Sequence, residues 1–323
     1  MTIATILRSG IDRAFRNSRV GMVFYLSNVI FAAAVALPLF LTLNGQIAYL
    51  TMRSEIAQHP SYAWWSGFRF HDGCLAETMR PSLNSGFGPM LDNVELLFRG
   101  NFNSFGLTIL FAGLAYIFLM AFLNGGALSQ FIEDRGFSMQ RFLGHSGHYL
   151  RHMSAFLTLQ GLVLWGIYRG ISPLLFSMID SVTVASVSAP LVWFVNLAGY
   201  ILVIKLVFIV VTLFDYARII LIAEKKTSSL TALGLSVKFV FSRLQPMGLN
   251  ALLAGIAILM STIAGTIFSI IHPSGLFMVI LSFLLQQVYL FLLISMRVAC
   301  YSTEVLLYQQ QMAENQQVKK RKH

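Results

Sequence analysis

Charged residues and cysteines are scarce in this sequence. Only 11% of the 323 residues are charged and 56% are hydrophobic, whereas a soluble domain carries about 25% charged residues. This composition excludes an ordinary soluble domain and predicts an integral membrane protein. The two cysteines, Cys74 and Cys300, are too few for a disulfide framework. The net charge of +10 is spread over short segments between apolar runs, which indicates membrane topology and not nucleic-acid binding.

The sequence also lacks the residue patterns of common active sites. It contains no Gly-rich phosphate loop, no HExxH and no Ser/His/Asp arrangement that would serve nucleophilic catalysis. His145, His148 and His152 share a helical face, but the nearest carboxylates, Glu133 and Asp134, lie across a glycine-containing turn. These histidines predict a solvated face and not a zinc site. We therefore expect no catalytic residue, no cofactor and no metal, and a protein that is not an enzyme.

Six apolar runs are long enough to cross the roughly 30 Å of hydrocarbon in a bilayer. They predict transmembrane helices at about 21–43, 105–123, 154–178, 190–214, 247–271 and 275–296. The last two are separated only by residues 272–274, which predicts a tight helical hairpin. Residues 1–20 are basic but stand too far ahead of the first apolar run for a signal peptide, so the first helix should be retained.

Positive charge predicts the orientation of these spans. Segments 1–20, 124–153, 215–246 and 297–323 together carry 17 of the 23 Lys and Arg residues. The other side has four, all in the long loop 44–104, where charge counts for less. Both termini should be cytoplasmic, and loop 44–104 should form an extracytoplasmic cap. Residues 297–323 should form a basic tail in which Lys319, Lys320, Arg321 and Lys322 contact anionic lipids.

A basic, amphipathic stretch precedes each outward-going span. The stretches are IDRAFRNSRV, RFLGHSGHYLRHM and SLTALGLSVKFVFSRLQP, and such patterns are typical of helices that lie along headgroups. The predicted fold is therefore all-α: a polytopic domain of six transmembrane helices over residues 1–296. The helices form three hairpins, with cytoplasmic interfacial helices and an extracytoplasmic cap.

Several polar residues near or within the spans are candidate sites. Asp215 and Arg218 are spaced i, i+3 at the end of span four and should pair, either as a helix-end anchor to the adjoining surface helix or as a gate or partner contact. Arg169, Lys205 and Asn196 form a candidate intramembrane polar site. Arg169 is suited to an anion or a lipid headgroup, or to a structural bond with loop carbonyls or Asp180.

Neutral polar and small residues also occur in the spans. The amides include Gln160, Gln286 and Gln287, which suit hydrogen bonds between helices. Span five carries Ala257, Ser261, Gly265 and Ser269 at four-residue spacing. This ladder favours close helix packing, within the chain or with a partner.

The long loop gathers aromatic residues in the stretch HPSYAWWSGFRF. Aromatic side chains prefer the boundary between hydrocarbon and water. We expect this stretch to rest on the membrane-facing surface, with a cavity lid or a protein-docking site as alternatives. The candidate partner or membrane contacts are Tyr62, Trp64, Trp65, Phe68 and Phe70.

Two of the quoted stretches and the long first loop resemble a group of uncharacterised six-span bacterial inner-membrane proteins. One stretch is LNGGALSQFIEDRGFSMQRFLGHSGHYLRHM, from Leu123 to Met153, and the other is DYARIILIAEKKTSSLTALGLSVKFVFSRLQP, from Asp215 to Pro246. In that group an Asn-Gly-Gly turn ends the second span and Asp-Tyr-Ala-Arg ends the fourth. The resemblance implies the six-span topology and a bacterial inner-membrane location, but no activity and no catalytic residue.

These features together favour a non-enzymatic scaffold or accessory subunit of a larger membrane-protein complex. Its expected partners are a bilayer with anionic lipids and one or more membrane proteins, with no nucleic acid. The alternative is a permease, or a permease subunit, for a lipid or another amphiphile that passes near Arg169 and Lys205.

Overall fold

The computed structural model describes residues 2–48, 107–184, 188–243, 245–270 and 276–322, and within these ranges the regular structure is helical. Six helices in these ranges are long and apolar enough to cross a membrane. The prediction of an all-α polytopic membrane protein is confirmed. The aromatic stretch with Tyr62, Trp64, Trp65, Phe68 and Phe70 and the predicted 272–274 junction both lie outside the described residues.

The helices extend beyond the predicted spans in most cases. A π-helical turn, Ile167–Ile171, joins the fourth and fifth helices. The α-helices are α1 Ile3–Arg16, α2 Ser18–Ala48, α3 Leu107–Glu133, α4 Met139–Gly166, α5 Ser172–Thr183, α6 Ala189–Ala223, α7 Ser229–Ser242, α8 Gln245–Ile270 and α9 Leu276–Lys322.

Helix α6 ends in a set of backbone hydrogen bonds at the point where charged residues follow its apolar run. Lys225 adopts φ 49° just after the helix. Its N–H bonds the Ile222 carbonyl, and the Lys226 N–H bonds the Leu221 carbonyl at 2.9 Å. These two bonds form a Schellman motif, which satisfies the last carbonyls of a helix. Asp134 has the same φ of 49° after α3, so both helices end in a left-handed residue that is not glycine.

The chain divides into two compact units, Met1–Phe24 with Met120–His323, and Tyr25–Leu119. In the second unit, α2 and α3 are joined by a polar and an aromatic contact. The Tyr116 hydroxyl donates to Asn28 Oδ1 at 2.6 Å, and the rings of Phe31 and Tyr116 lie 5.3 Å apart. This pairing agrees with the predicted first hairpin.

The buried residues of the first unit concentrate at one end, which we call the base. The base contains the whole of α1 and α7. It also contains the ends of α3 and α6, the starts of α4 and α8, and residues 298–311 of α9. Fully buried side chains lie here, among them Phe131, Phe142, Phe156, Tyr216, Ile219, Leu249 and Leu307.

The sequence-based division of the last helix differs from the structure. Residues 297–323 do not begin a separate tail, because α9 continues without a break from Leu276 to Lys322. Val298, Val305 and Tyr308 are at most 2% exposed. The apolar spacing of a helix therefore persists after the charged Arg297, and it packs this part of α9 into the base.

The helix α1 is fixed in the base by one close approach and one ion pair. A Cβ at Gly10 would lie 2.7 Å from the Thr303 Cα, so only glycine lets α1 lie this close to α9. Arg13 is 4% exposed, and its Nε donates to Asp134 Oδ1 at 3.0 Å. Its Nη2 also donates to the Phe131 carbonyl.

The three basic stretches do not share one structure. The first covers the end of α1 and the start of α2, and the second is the start of α4 and continues into its apolar part. The third forms the separate helix α7 and reaches the start of α8. Helix α7 buries Ala232, Ser236 and Val240. It leaves Leu230, Val237 and Phe241 exposed, and these three lie together on another face, as expected for an interfacial helix.

The Asn-Gly-Gly sequence is not a turn, contrary to the expectation. Asn124, Gly125 and Gly126 lie inside α3, which continues to Glu133. A Cβ at Gly126 would lie 2.7 Å from the Phe142 carbonyl oxygen. These glycines therefore allow α3 and α4 to approach closely, which is the same role that small residues have between membrane helices.

The close approach at Gly126 gives a test of this packing. We expect Gly126→Ala to lower the free energy of unfolding by about 1–3 kcal/mol, because the backbone of α4 has to move. Gly144→Ala is the matched control, since a Cβ at Gly144 has no atom within 4 Å and should stabilise α4 by about 0.5–1 kcal/mol. Thermal unfolding of the purified protein in detergent measures both changes. Equal shifts of the two variants would contradict the packing role of Gly126.

Candidate functional site

The predicted pair at the end of span four lies in the base. Asp215 and Arg218 are one turn apart on α6, and Arg218 Nη1 lies 2.5 Å from Asp215 Oδ1. Their side chains are only 19% and 15% exposed. Arg218 Nη2 also donates to Gln160 Oε1 of α4. The pair thus connects α6 to α4, whereas the sequence suggested an anchor to the adjoining surface helix.

The surface helix α7 is held to α6 by an aromatic contact instead. Tyr216 is fully buried, and its ring centroid lies 5.2 Å from that of Phe239 on α7. The Phe239 ring is in turn 5.2 Å from Tyr308 of α9. The hydroxyl of Tyr308 donates to Glu224 Oε1 at 2.6 Å. Aromatic packing and one hydrogen bond therefore hold α6, α7 and α9 together in the base.

A second polar set comes from the part of α9 that sequence analysis assigned to a tail. Arg297 Nε donates to the Tyr301 hydroxyl at 2.8 Å. The Tyr301 hydroxyl donates to Asn124 Oδ1 of α3 at 2.8 Å. The Arg297 guanidinium carbon is also 5.8 Å from the centroid of the Tyr301 ring. One turn of α9 therefore joins a cation to the Asn-Gly-Gly segment of α3.

Glu304 connects the two sets. It is 4% exposed, lies near the Asn250 side chain of α8, and interacts electrostatically with Asp215 and Arg218. Asn250 Nδ2 also reaches Thr212 Oγ1 of α6 at 3.4 Å. Two carboxylates and the Arg218 guanidinium therefore lie close together, with the exposed guanidinium of Arg297 at the edge of the set. We call this set the polar cluster. Its members are Asn124, Gln160, Thr212, Asp215, Arg218, Asn250, Arg297, Tyr301 and Glu304.

The polar cluster is suited to holding helices together. Its charges balance, and each ionised group has an opposite charge or a hydrogen-bonding group near it, as buried charges require. Across the described ranges no group of three or more His, Cys, Asp or Glu side chains could hold a metal ion. His152 Nδ1 lies 3.2 Å from Ser229 Oγ, and His145 Nδ1 lies 3.8 Å from Glu133 Oε1. These two histidines therefore contact different groups.

The candidate intramembrane site does not assemble as a unit. Asn196 Nδ2 donates to the Val192 carbonyl of its own helix at 2.9 Å. Lys205 follows nine residues later, which is about two and a half turns, so the two residues lie on opposite sides of α6. Arg169 lies in the π-helical turn and is exposed, as is Lys205.

The side of α6 that joins the polar cluster continues beyond it as an exposed face. Thr212 is 1% exposed, but two turns earlier Lys205 is exposed, and Ile201 and Phe194 of the same face are 55% and 63% exposed. Because α6 has about 3.6 residues per turn, these four side chains share one side of the helix.

The side of α9 that carries Glu304 also changes from buried to exposed along the helix. Gln286 precedes Glu304 by 18 residues, about five full turns, so both lie on one side of α9. Glu304 is buried, whereas Gln286 is exposed and is flanked by the exposed Val279 and Phe283. The sides of α6 and α9 that meet in the polar cluster are therefore uncovered toward the far ends of the two helices.

The remaining sequence-based candidates have simpler surroundings. The small-residue ladder of α8 faces α9, because the Tyr289 hydroxyl donates to Ser261 Oγ at 3.0 Å. The ladder therefore serves packing within the chain at this point. Lys319, Lys320, Arg321 and Lys322 lie in the last turns of α9.

Sequence reasoning found Asp215 and Arg218 because their spacing marks one helical face. It missed Glu304, Arg297 and Asn124, which reach the polar cluster from distant parts of the chain. The signal that could have found them is the i, i+4, i+7 spacing of Arg297, Tyr301 and Glu304, which places them on one side of a helix. No protein-family model, characterised protein or solved structure shows significant similarity to this chain.

The polar cluster predicts a strong dependence of stability on Arg218. Arg218→Met should lower the free energy of unfolding by about 3–5 kcal/mol, because it leaves Asp215 beside Glu304 without its closest cation. The double variant Asp215→Leu, Arg218→Met should be more stable than Arg218→Met alone, because it removes the uncompensated charge. Unfolding midpoints in detergent for the wild type, both single variants and the double variant form a complete cycle. Additive effects would show that the pair is not coupled.

Proposed function

We propose that the protein is a non-enzymatic scaffold or accessory subunit of a larger membrane-protein complex. Its location would be a bacterial inner membrane, with both termini in the cytoplasm. The excess of Lys and Arg in the segments on the side of the termini supports this orientation. The resemblance of the Leu123–Met153 and Asp215–Pro246 stretches to bacterial inner-membrane proteins supports the location.

The observation that carries the proposal is the exposed pair of faces on α6 and α9. Each face is apolar apart from one polar side chain, Lys205 on α6 and Gln286 on α9. An amide or an ammonium group within a transmembrane helix is costly unless it reaches a polar partner or water. A transmembrane helix of another protein, seated against these faces with a carboxylate or an amide, would supply that partner.

The contrast between the base and the spans favours the same proposal. The base fixes α3, α4, α6, α8 and α9 through the polar cluster. In the most apolar window of α9, by contrast, only 6% of the residues are buried. A chain that holds helices rigidly at one end and leaves their faces uncovered at the other is suited to receiving helices from a partner.

The aromatic stretch with Trp64 and Trp65 lies outside the described residues. It stays the sequence-based candidate for a second contact with the same partner. Its expected place at the membrane boundary would let it hold the outer end of a partner helix, while α6 and α9 hold the middle.

Photo-crosslinking from α9 tests the scaffold proposal. Phe283 and Val288 are 57% and 56% exposed, but only Phe283 lies beside Gln286 on the face that continues from Glu304. A photoreactive phenylalanine analogue at position 283 should form a protein adduct of one defined mass in native membranes. The same analogue at position 288 should form lipid adducts only.

Mass spectrometry of the adducts distinguishes the outcomes. A defined protein adduct at position 283 that is lost with Gln286→Leu and Lys205→Leu would support a partner helix on this face. Lipid adducts alone at both positions, or the same protein adduct at both, would contradict the proposal.

A permease for a lipid or another amphiphile is the second candidate. It is favoured by the π-helical turn Ile167–Ile171, which carries Arg169. Such turns inside helices occur frequently at functional sites. Arg169 and Lys205 would then contact the anionic part of the amphiphile on its way across the membrane.

The two candidates differ in what they predict for Arg169→Ala. In liposomes that contain the purified protein, a permease would move fluorescent phosphatidylglycerol between leaflets. Arg169→Ala would slow that movement at least about tenfold, as expected for the loss of a charge contact in a dry site. Arg243→Ala is the control, because Arg243 lies between two candidate spans and contacts Asn315 and Glu314 near the end of α9. A scaffold should show no protein-dependent movement in the wild type.

A further inference from the structure

A groove runs along one flank of α1, beside the face by which α1 packs on α9. Its first part is a cavity of about 400 Å³ lined by Ile3, Leu7, Ile11 and Leu252, with Arg8 and Asp12 also in the lining. Its second part is a cavity of about 190 Å³ that shares Ile11. Ile11 lines both cavities, which follow each other along α1, and we call the two together the groove.

The second part of the groove is lined by residues of three candidate membrane spans. Its walls include Gly21 of α2, Met260 of α8 and Phe291 of α9, and all three residues belong to candidate membrane spans. The first part lies beside α1, which is not among those spans. Ile3 is near Gly248 at the start of α8. The groove therefore leads from the edge of the base into the apolar part of the first unit.

Exposed positive charge outnumbers negative charge along α1 and the start of α2. Arg8, Arg16 and Arg19 are exposed there, and Asp12, the one acidic residue of α1, lines the first cavity beside Arg8. Arg13 does not add to this charge, because it is buried against Asp134. An apolar path with exposed cations beside it matches a molecule that has an anionic head and an apolar chain.

We propose that this groove binds one anionic phospholipid, with an acyl chain in the apolar path and the headgroup phosphate at Arg8. The second part, with a volume of about 190 Å³, suits a flexible chain better than a helix, which with its side chains is about 10–12 Å wide. The lining is almost wholly aliphatic and aromatic beyond Arg8 and Asp12, as expected of a site for an apolar ligand. The bound lipid would hold α1 against α8 and α9 at the edge of the base.

The test uses substitutions that fill the groove and compares the amount of lipid bound by these variants with that bound by the wild type. Gly21 lines the second part, and a Cβ there has no atom within 4 Å, so Gly21→Leu should occupy the path of the acyl chain without a backbone clash. Gly255→Leu is the matched control, because Gly255 has equally open space and does not line the groove. Ser18→Leu fills the same part of the groove from a different position and serves if Gly21→Leu does not fold.

The full-length protein in lipid-free detergent is titrated with palmitoyl-oleoyl phosphatidylglycerol or phosphatidylcholine, and bound lipid is counted by native mass spectrometry. The wild type and Gly255→Leu should each bind one phosphatidylglycerol. Gly21→Leu and Ser18→Leu should lose most of this binding. Arg8→Gln should weaken phosphatidylglycerol about fivefold and leave phosphatidylcholine unchanged.

Three outcomes would overturn the proposal. The first is equal phosphatidylglycerol binding by the wild type and a folded groove-filling variant. The second is equal loss of binding in Gly255→Leu and Gly21→Leu. The third is a lipid-free dimer that Gly21→Leu dissociates, because the groove would then be an interface between two copies of the chain.

Discussion

The electrostatic compensation of Glu304 and Asp215 by Arg218 and Arg297 is the constraint on which the base depends. Two carboxylates this deep in a protein are tolerated only beside cations and hydrogen-bonding groups. The amides that complete the polar cluster, Asn124, Gln160 and Asn250, come from three other helices. Moving any one of these helices along its axis would separate a charge from its partner. The polar cluster therefore fixes the register of the base more strictly than apolar packing alone would.

The base is closely packed, whereas the spans are largely uncovered. Within hydrocarbon, apolar side chains gain little by leaving lipid for protein, so helix association there depends on small residues and hydrogen bonds. The aromatic and aliphatic side chains of the base, among them Phe142, Phe156 and Leu307, are fully buried. Along the spans, contacts such as Tyr289 with Ser261 are local, and much of each helix surface faces outward.

The sequence predicted the membrane architecture well because apolar runs of sufficient length have few alternatives to a transmembrane helix. It predicted the ends of the helices poorly, because charge marks where a helix leaves hydrocarbon and not where the helix stops. Arg297 was interpreted as the start of a tail for this reason, although Val298, Val305 and Tyr308 continue the helical pattern. The Asn-Gly-Gly segment was expected to be a turn because, in the proteins that the chain resembles, it ends the second span. Its actual role depends on Phe142, a residue of another helix, and pairwise contacts of this kind are not visible in a single sequence.

The contact between Gly10 and Thr303 has a consequence for how the chain is made. Helix α1 leaves the ribosome before the candidate spans, and residues 298–311, on which it packs, follow the apolar part of the last span. All six candidate spans therefore enter the membrane before the base can close. Until then α1 carries an amphipathic surface without its final partner, and the lipid surface is the nearest place to hold it. A chain interrupted before α9 would therefore present an open base to cellular quality control.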